Sequence, residues 1–481
     1  MVSESLYRRL VPDAPLHRRT DRDSVGESAL ERFESLRGAT PPTPGLKEPR
    51  LTSTCQGRIE RILFAVPAFS IDDAESATAY RSVISALRPG TEFVVVHANS
   101  RRRDVEAWFR DAGHTDTVTY VPLPDYVSFT DWAEDAYVAL TDASDDSPYL
   151  MEPWEFRRAG DALIADAVEE YTDIQASQAP LIFQGGNCLI GDTFWFLGTD
   201  YFADSVSLLQ SGRPPVELPD RADLAVTVRG LFHDYVDAGR ELTLIGTRRP
   251  IAVPEFRGAR EGEQFFLDLP SEGVGAFQPI FHIDMFITLV GREGDRFTLL
   301  VGDPAMADEM LGTSSPYALR DAYDQIAATL TAAGFDVRRN PLVHRRTPGE
   351  TLTLAELRAT AGQEGDAALA RAVSELGAAG ARDDTAVTVR DWYHITWNNC
   401  LVENSAGAGR HVYLPTYGHG PNRDLAVIDE HMARLWTELG FEVHPLADFT
   451  SFARRQGVVH CIKKYLRLTC RPGAAVRHCS A

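Results

Sequence analysis

The sequence predicts a mixed α/β fold in which a unit of strand, strand, helix and strand recurs about five times. The clearest observation is an alternation near the start. Apolar strand-like runs at 62–67, 92–97 and 118–122 are separated by helical segments at 79–87 and 103–112. Strands that alternate with helices of this length are typical of mixed α/β proteins. Because one unit cannot bury its own sheet, the units are expected to pack around a shared centre, with their loops converging on one pocket.

The chain is predicted to contain one large domain with a shorter segment on each side. Residues 1–56 are polar, with several prolines late in the segment, and are predicted to form an N-terminal extension. Residues 57–470 carry the recurring units and form the predicted main domain, and 471–481 are a tail. Segments at about 203–260 and 346–383 are interpreted as insertions into the recurring pattern, and the second is predicted to be helical.

The composition excludes several classes of protein. A net charge of −21 over 481 residues argues against nucleic acid or an anionic membrane as a partner, since both require a basic surface. No run approaches the roughly 18 apolar residues of a membrane span, and no secretory signal is visible, so a cytoplasmic protein is expected. The six cysteines are scattered without a C-x-x-C pair, which predicts reduced thiols, no disulfide framework and no metal site. No cofactor is predicted.

The C-terminal run at 457–462 contains Cys461, the first candidate for a reactive group. A thiolate is a strong nucleophile, but it requires a base or a cation nearby. A buried structural cysteine is the alternative that this run alone leaves open. The run is predicted to be a strand, in which the neighbouring His460 would point to the opposite face and would be a poor base for Cys461.

His282 is the better candidate for the base. The run at 281–286 is predicted to be an apolar strand that places His282 and Asp284 on one face, where burial is costly unless the two are used or hydrogen-bonded to each other. Asp135 lies at the mouth of another predicted strand. Two carboxylates such as Asp135 and Asp284 could bind a planar guanidinium, since each accepts two N–H groups.

A turn is predicted at Gln184-Gly185-Gly186-Asn187, because consecutive glycines allow tight turns and close backbone approach to a ligand. A plain hairpin turn remains the alternative interpretation of this segment.

Four short motifs occur in order along the chain: Trp132-x-x-Asp135, Gly185-Gly186-Asn187, His282-x-Asp284 and His460-Cys461. This order resembles the guanidine-modifying, or pentein, superfamily, most closely agmatine deiminase and peptidyl-arginine deiminase-like enzymes. Segments 397–402 and 412–418 also resemble the C-terminal part of agmatine deiminases. The resemblance covers roughly 57–468 and implies that the main domain is a catalytic, five-bladed, pseudo-symmetric α/β propeller.

The resemblance also implies roles for the candidate residues. Cys461 would be the nucleophile and His282 the general acid and base, while Asp135 and Asp284 would hold the guanidinium nitrogens. The substrate-binding residues would be Trp132, Glu134, Gln184, Gly185, Gly186 and Asn187. Two positions depart from the family pattern: Gln184 stands where relatives often have an acidic residue, and Glu134 where many deiminases have arginine.

The function expected from this resemblance is a deiminase that releases ammonia and leaves a ureido product. An amidinotransferase, in which an amine replaces water at the same covalent intermediate, is the alternative, and a non-catalytic guanidine-binding protein is a third. The expected partner is a small-molecule or peptidyl guanidino substrate. A homodimer is compatible with the sequence.

Overall fold

The computed structural model describes residues 6, 9–10, 46–212, 223–270, 273–315, 318–405, 407 and 409–469. The predicted tail and most of the predicted extension lie outside the described residues. The strands are β1 (Pro49–Leu51), β2 (Arg58–Val66), β3 (Glu92–Ala98), β4 (Val118–Leu123), β5 (Val138–Asp142), β6 (Ser147–Glu152), β7 (Gln175–Gln178), β8 (Cys188–Ile190), β9 (Phe194–Gly198), β10 (Glu241–Ile245), β11 (Arg257–Glu261), β12 (Gln264–Asp268), β13 (Ile287–Glu293), β14 (Arg296–Asp303), β15 (Asp336–Thr353), β16 (Ala386–Thr396), β17 (Leu401–Ser405), β18 (Gly409–Thr416), β19 (Glu442–Asp448) and β20 (Lys463–Thr469).

The α-helices of the described residues lie between these strands. They are α1 (Ala68–Asp72), α2 (Ala74–Ala86), α3 (Arg102–Asp111), α4 (Ile164–Tyr171), α5 (Thr199–Gln210), α6 (Leu224–Tyr235), α7 (Pro304–Leu311), α8 (Arg320–Ala332), α9 (Leu354–Glu364), α10 (Ala367–Ala378), α11 (Ala426–Glu438) and α12 (Thr450–Arg454).

Five sheets share one pairing pattern. Their strand orders are β1-β5-β6-β7, β10-β9-β8, β11-β12-β16-β15-β14-β13, β17-β18-β19 and β20-β2-β3-β4. In each sheet an antiparallel pair is followed by a third strand parallel to the second, as in β5, β6 and β7. The same order holds for β8 to β10, β13 to β15, β17 to β19, and β20 with β2 and β3. The predicted mixed α/β fold is therefore confirmed.

The unit formed by β2, α2 and β3 illustrates why the sequence folds in this way. Helix α2 begins after Asp73, whose carboxylate accepts a hydrogen bond from the amide of Ser76 at 2.9 Å and so caps a free N–H group. Tyr80 on the buried face of the helix packs edge-on against Phe64 of β2, with 6.2 Å between ring centroids. Parallel strands need a crossover connection of this kind, which buries one face of the sheet.

The two predicted insertions have different structures. The segment at 203–260 includes β10, which pairs in parallel with β9 and so completes one of the recurring sheets. In the segment at 346–383, β15 continues to Thr353 before α9 and α10 begin. These two helices pack with β12 and the first half of β16 around an apolar cluster that includes Leu6 and Leu10. Strand β1, within the predicted extension, pairs antiparallel with β5.

A search of the described residues for helices that could cross a membrane found none with the required length and hydrophobicity.

We expect Gly457→Ala to lower the free energy of unfolding by about 1–3 kcal/mol, the usual range for overpacking a core. A Cβ at Gly457 would overlap the buried ring of Trp132, just before the segment that carries Cys461. The measurement is urea unfolding followed by far-ultraviolet circular dichroism.

The matched control is Gly230→Ala in α6, where a Cβ meets no atom within 4 Å. This change should be neutral or should stabilise by about 0.5–1 kcal/mol, because alanine favours a helix more than glycine. Equal unfolding midpoints for the two variants would contradict the packing that we describe at Trp132.

Candidate active site

Four turns from distant parts of the sequence carry the predicted site residues, and a fifth carries Asn399. Each turn immediately precedes one strand of a different sheet: β5, β8, β13, β17 or β20. We call these segments the site turns, and they comprise residues 131–135, 184–187, 282–285, 397–399 and 459–462. Because each turn comes just before one strand of an antiparallel pair, the recurring unit places the same kind of turn in every sheet.

The site turns are hydrogen-bonded to one another in a closed ring. Its bonds run from Glu134 N to Cys461 O (3.1 Å), Gly185 N to Asp135 O (3.1 Å), Ile283 N to Asn187 Oδ1 (3.0 Å), Asn399 Nδ2 to Asp284 O (3.4 Å) and Cys461 N to Asn399 Oδ1 (3.2 Å). Buried backbone groups need such partners, since leaving one unsatisfied is costly. The ring therefore brings together residues that lie more than 300 positions apart in the sequence.

Cys461 is fully buried, and its thiol faces two oxygen atoms. Sγ lies 3.2 Å from Oδ1 of Asn399 and 3.8 Å from Oδ2 of Asp284. The same Asp284 oxygen lies 3.0 Å from Nδ1 of His460. The Cys461 thiol and the His460 imidazole thus contact the same carboxylate oxygen.

The predicted strand at 457–462 is wrong. Residues 459–462 form a turn, and β20 begins only at Lys463. Strand alternation therefore does not separate His460 from Cys461, and both side chains contact Asp284. Burial and the neighbouring Lys463 lower the pKa of His460, so this imidazole is held mainly neutral beside Asp284.

His282 is buried and held from several sides. Its Nε2 lies 2.7 Å from Oε1 of Gln184 and 3.1 Å from the hydroxyl of Tyr201. Its Nδ1 lies 3.7 Å from Oδ1 of Asp135. Gln184 thus contacts the imidazole directly, while Asp135 supplies the nearby negative charge.

The predicted strand at 281–286 is also wrong. His282 is extended, with φ −123° and ψ 137°, but Ile283–Met285 form a 3₁₀ turn. The two side chains do not follow strand alternation: His282 contacts Gln184 and Tyr201, whereas Asp284 contacts the segment with Cys461.

Asp135 binds a guanidinium of the chain itself. Nη2 of the buried Arg158 lies 2.8 Å from Oδ2 of Asp135, and Nε of Arg158 lies 2.6 Å from Oδ2 of Asp161. Burial opposes the charge of Arg158, but the two carboxylates more than compensate, so the pKa of Arg158 is raised. Asp135 and Asp284 were expected to bind a substrate guanidinium together. In the structure, the guanidinium that Asp135 binds is that of Arg158. One oxygen of Asp135 pairs with Arg158 and the other faces His282.

Glu134, at the position where many deiminases have arginine, is paired with two lysines inside the protein. Nζ of Lys463 and Nζ of Lys464 each lie 2.9 Å from one oxygen of the buried Glu134 carboxylate. Burial alone would raise the pKa of Glu134, but the two ammonium groups lower it below its ordinary value. Burial also lowers the pKa of Lys463 to about 8. The charge of Glu134 is compensated inside the protein.

The other predicted substrate-binding residues hold the turns in place. Trp132 is buried and stacks edge-on against Phe452, with ring centroids 6.0 Å apart. A Cβ at Gly185 would overlap the carbonyl oxygen of Glu134, so glycine is required there by close backbone approach. Gly186 lies in the same buried 3₁₀ turn as Asn187, whose Oδ1 accepts the amide of Ile283.

Comparison with known proteins was made for both sequence and structure. No family model and no curated protein matches the sequence. The structure aligns with agmatine deiminase from C. jejuni at a TM-score of 0.50, over 88% of this chain and 98% of that chain, with 10% identity.

The chain has the agmatine deiminase fold. The predicted resemblance to the pentein superfamily is thereby confirmed as a resemblance of fold. Two other solved structures align at lower TM-scores. DDAH from Pseudomonas aeruginosa aligns at 0.34, with 12% identity over 85% of this chain and 99% of that chain. Inosamine-phosphate amidinotransferase from Streptomyces griseus aligns at 0.36, with 12% identity over 91% of this chain and 99% of that chain.

Three residues of the candidate site were not predicted as site residues from the sequence. Asn399 contacts Cys461 through its side-chain amide, and the two consecutive asparagines after the apolar strand β16 were the available signal. Tyr201 contacts His282, and Arg158 contacts Asp135. Neither Tyr201 nor Arg158 lies in a short motif. No local pattern marks them, because their role depends on a partner far away in the sequence.

We expect Glu134→Gln to lower the free energy of unfolding by about 3–5 kcal/mol at pH 7, because it leaves two buried ammonium groups uncompensated. The loss should be smaller at pH 9, because Lys463, with a pKa of about 8, is then largely neutral in the native protein. Urea unfolding at the two pH values measures both effects.

Two further variants test the cause. Replacement of the whole group by Glu134→Leu, Lys463→Met and Lys464→Met should recover most of the lost stability, since no charge remains buried. The control Glu106→Gln removes an exposed helical ion pair with Arg102 and should change stability by less than about 0.5 kcal/mol. A Glu134→Gln variant as stable as the control would contradict our description.

Proposed function

We propose that the chain is a hydrolase of C–N bonds in linear amidines, a deiminase that acts on the guanidinium carbon of an arginine-like substrate. Cys461 is the nucleophile, and the products are ammonia and a ureido compound. The observation that carries the proposal is the contact of the Cys461 thiol with Asp284, in the same ring of turns that holds His282 against Asp135. The shared fold with an agmatine deiminase agrees with this chemistry.

The reaction begins when the Cys461 thiolate attacks the guanidinium carbon and forms a C–S bond. One C–N bond then breaks, and the departing nitrogen leaves as ammonia with a proton from His282. Water, which gives a proton to His282, adds to the carbon of the covalent intermediate. The C–S bond then breaks, which releases the ureido product and regenerates the thiolate.

The carboxylates have separate roles in this proposal. Asp284 lies beside the thiol and accepts N–H groups of the substrate guanidinium, which places the carbon close to Sγ. Asp135 faces the imidazole of His282 and stabilises its charged form, and Arg158 fixes the orientation of Asp135. A single carboxylate thus binds the substrate, in place of the two that the sequence suggested.

We also infer that the five sheets are the blades of a pseudo-symmetric propeller around the site turns. The shared pairing order of the sheets and the closed ring of hydrogen bonds between the turns support this arrangement. Repeating units that contribute one loop each to a common centre give a site whose residues come from several units.

The direct test is incubation of the purified protein with a panel of guanidino compounds that includes arginine, agmatine and a peptidyl arginine. Ammonia release and a product with the mass of the ureido compound are expected in the wild type and absent in Cys461→Ala. His282→Gln should lower kcat by about 10²–10⁴-fold, the usual contribution of a general acid and base. A parallel series with an amine acceptor separates hydrolysis from amidino transfer. Turnover that survives in Cys461→Ala would refute the mechanism.

Substrate binding should assist formation of the thiolate. In the ligand-free protein the Cys461 thiol faces the carboxylate of Asp284, and a bound guanidinium would neutralise that charge. We expect a guanidine inhibitor too small to cover Sγ to shift the pH dependence of Cys461 alkylation towards lower pH. In Asp284→Asn the alkylation profile should lie at lower pH than in the wild type even without the inhibitor, because the negative charge beside the thiol is gone. An unchanged alkylation profile in the wild type at inhibitor saturation would disprove this step.

A further inference from the structure

A cluster of three side chains that could bind a metal ion lies on the sheet β17-β18-β19, outside the site turns. His411 lies on β18, and Glu442 and His444 lie two residues apart on β19. Nδ1 of His411 is 3.0 Å from Nε2 of His444. The Glu442 carboxylate lies 3.5 Å from the first of these nitrogens and 3.8 Å from the second.

The distances in this cluster are close to those of a bound divalent cation. Zinc binds imidazole nitrogen at about 2.0–2.1 Å in a tetrahedral arrangement, which separates two such ligand atoms by about 3.4 Å. The donor atoms of His411, Glu442 and His444 are within a few tenths of an ångström of that separation. Because Glu442 and His444 share one face of β19 and His411 is in register beside them, strand geometry holds all three together.

We propose that His411, Glu442 and His444 bind a divalent cation of the zinc class. Two imidazoles and one carboxylate suit Zn²⁺, Co²⁺ or Ni²⁺ better than Mg²⁺ or Ca²⁺, which prefer oxygen ligands only. The carboxylate side chain of Glu442 is 67% exposed, so water can complete the coordination. This inference does not depend on the proposed reaction at Cys461.

Arg88 contacts His411 on the side of the imidazole that faces away from His444. Its Nη1 lies 3.1 Å from Nε2 of His411, and its Nε lies 3.4 Å from the carboxylate of Glu403. Arginine only donates hydrogen bonds, so Nε2 of His411 accepts and Nδ1 carries the proton that points to His444. A cation at Nδ1 requires that proton to move to Nε2, which breaks the contact with Arg88.

This arrangement predicts opposite effects for two substitutions. His444→Gln removes a ligand and should weaken cation binding at least tenfold. Arg88→Gln removes a competing positive charge, and the glutamine amide can accept a hydrogen bond from Nε2–H of His411 as well as donate one to Nε2. Arg88→Gln should therefore tighten binding severalfold, a result that binding elsewhere on the protein would not give.

The experiment is calorimetric titration of the full-length protein with Zn²⁺ after dialysis against a chelator, together with the visible spectrum of the Co²⁺ form. We expect one equivalent of cation and a Co²⁺ spectrum without a thiolate charge-transfer band, which would separate this site from Cys461. His233→Gln is the matched control, since His233 is exposed beside Asp234 and far from β18 in the sequence. It should leave binding unchanged.

Glu442→Gln gives a second test that does not depend on how well His444→Gln folds, because the Glu442 side chain is largely exposed. It should also weaken binding. The proposal is overturned if the wild type binds no stoichiometric cation, if Glu442→Gln binds as tightly as the wild type, or if Arg88→Gln leaves the affinity unchanged.

Discussion

Backbone hydrogen bonds and the amide side chains of Asn187 and Asn399 join five turns that are far apart in the sequence, and the rest of the structure depends on this ring. Turns normally lie at the surface, where water satisfies their polar groups. Here the turns are buried, so each must satisfy the N–H and C=O groups of its neighbours. Because Asn399 binds the backbone of both neighbouring turns, it fixes the position of Cys461 relative to Asp284.

Buried charges add a second constraint on the same turns. Glu134 pairs with Lys463 and Lys464, and Asp131 in the same turn pairs with Arg455 from the segment before Cys461. Each charge is compensated by a residue from another sheet or turn, and a displacement of either partner would leave an unpaired charge in the interior. Almost all basic residues of the chain are arginines, yet two of its three lysines form the buried pairs with Glu134.

Much of the fold followed from local patterns, because the strand and helix periodicities of one unit reflect its own packing. The short motifs also located most of the site residues, but only the segment 184–187 was predicted to be a turn, from its consecutive glycines. Side-chain direction could not be predicted at His460 and His282, because strand alternation was applied to these residues, which lie in or beside turns. The partners of Asp135 and Glu134 were likewise hidden, since Arg158 and Lys464 reach them only through the tertiary fold.

The pairing of β20 with β2 has a consequence for how the molecule is made. The two strands are separated by nearly the whole described chain, so β2 leaves the ribosome long before its antiparallel neighbour exists. Until β20 arrives, one edge of β2 presents unpaired backbone groups together with the apolar run Ile62 to Val66. The nascent protein therefore has an unpaired, aggregation-prone strand edge during most of its synthesis. When β20 is synthesised, it pairs with this edge, and the preceding turn with Cys461 completes the ring of turns.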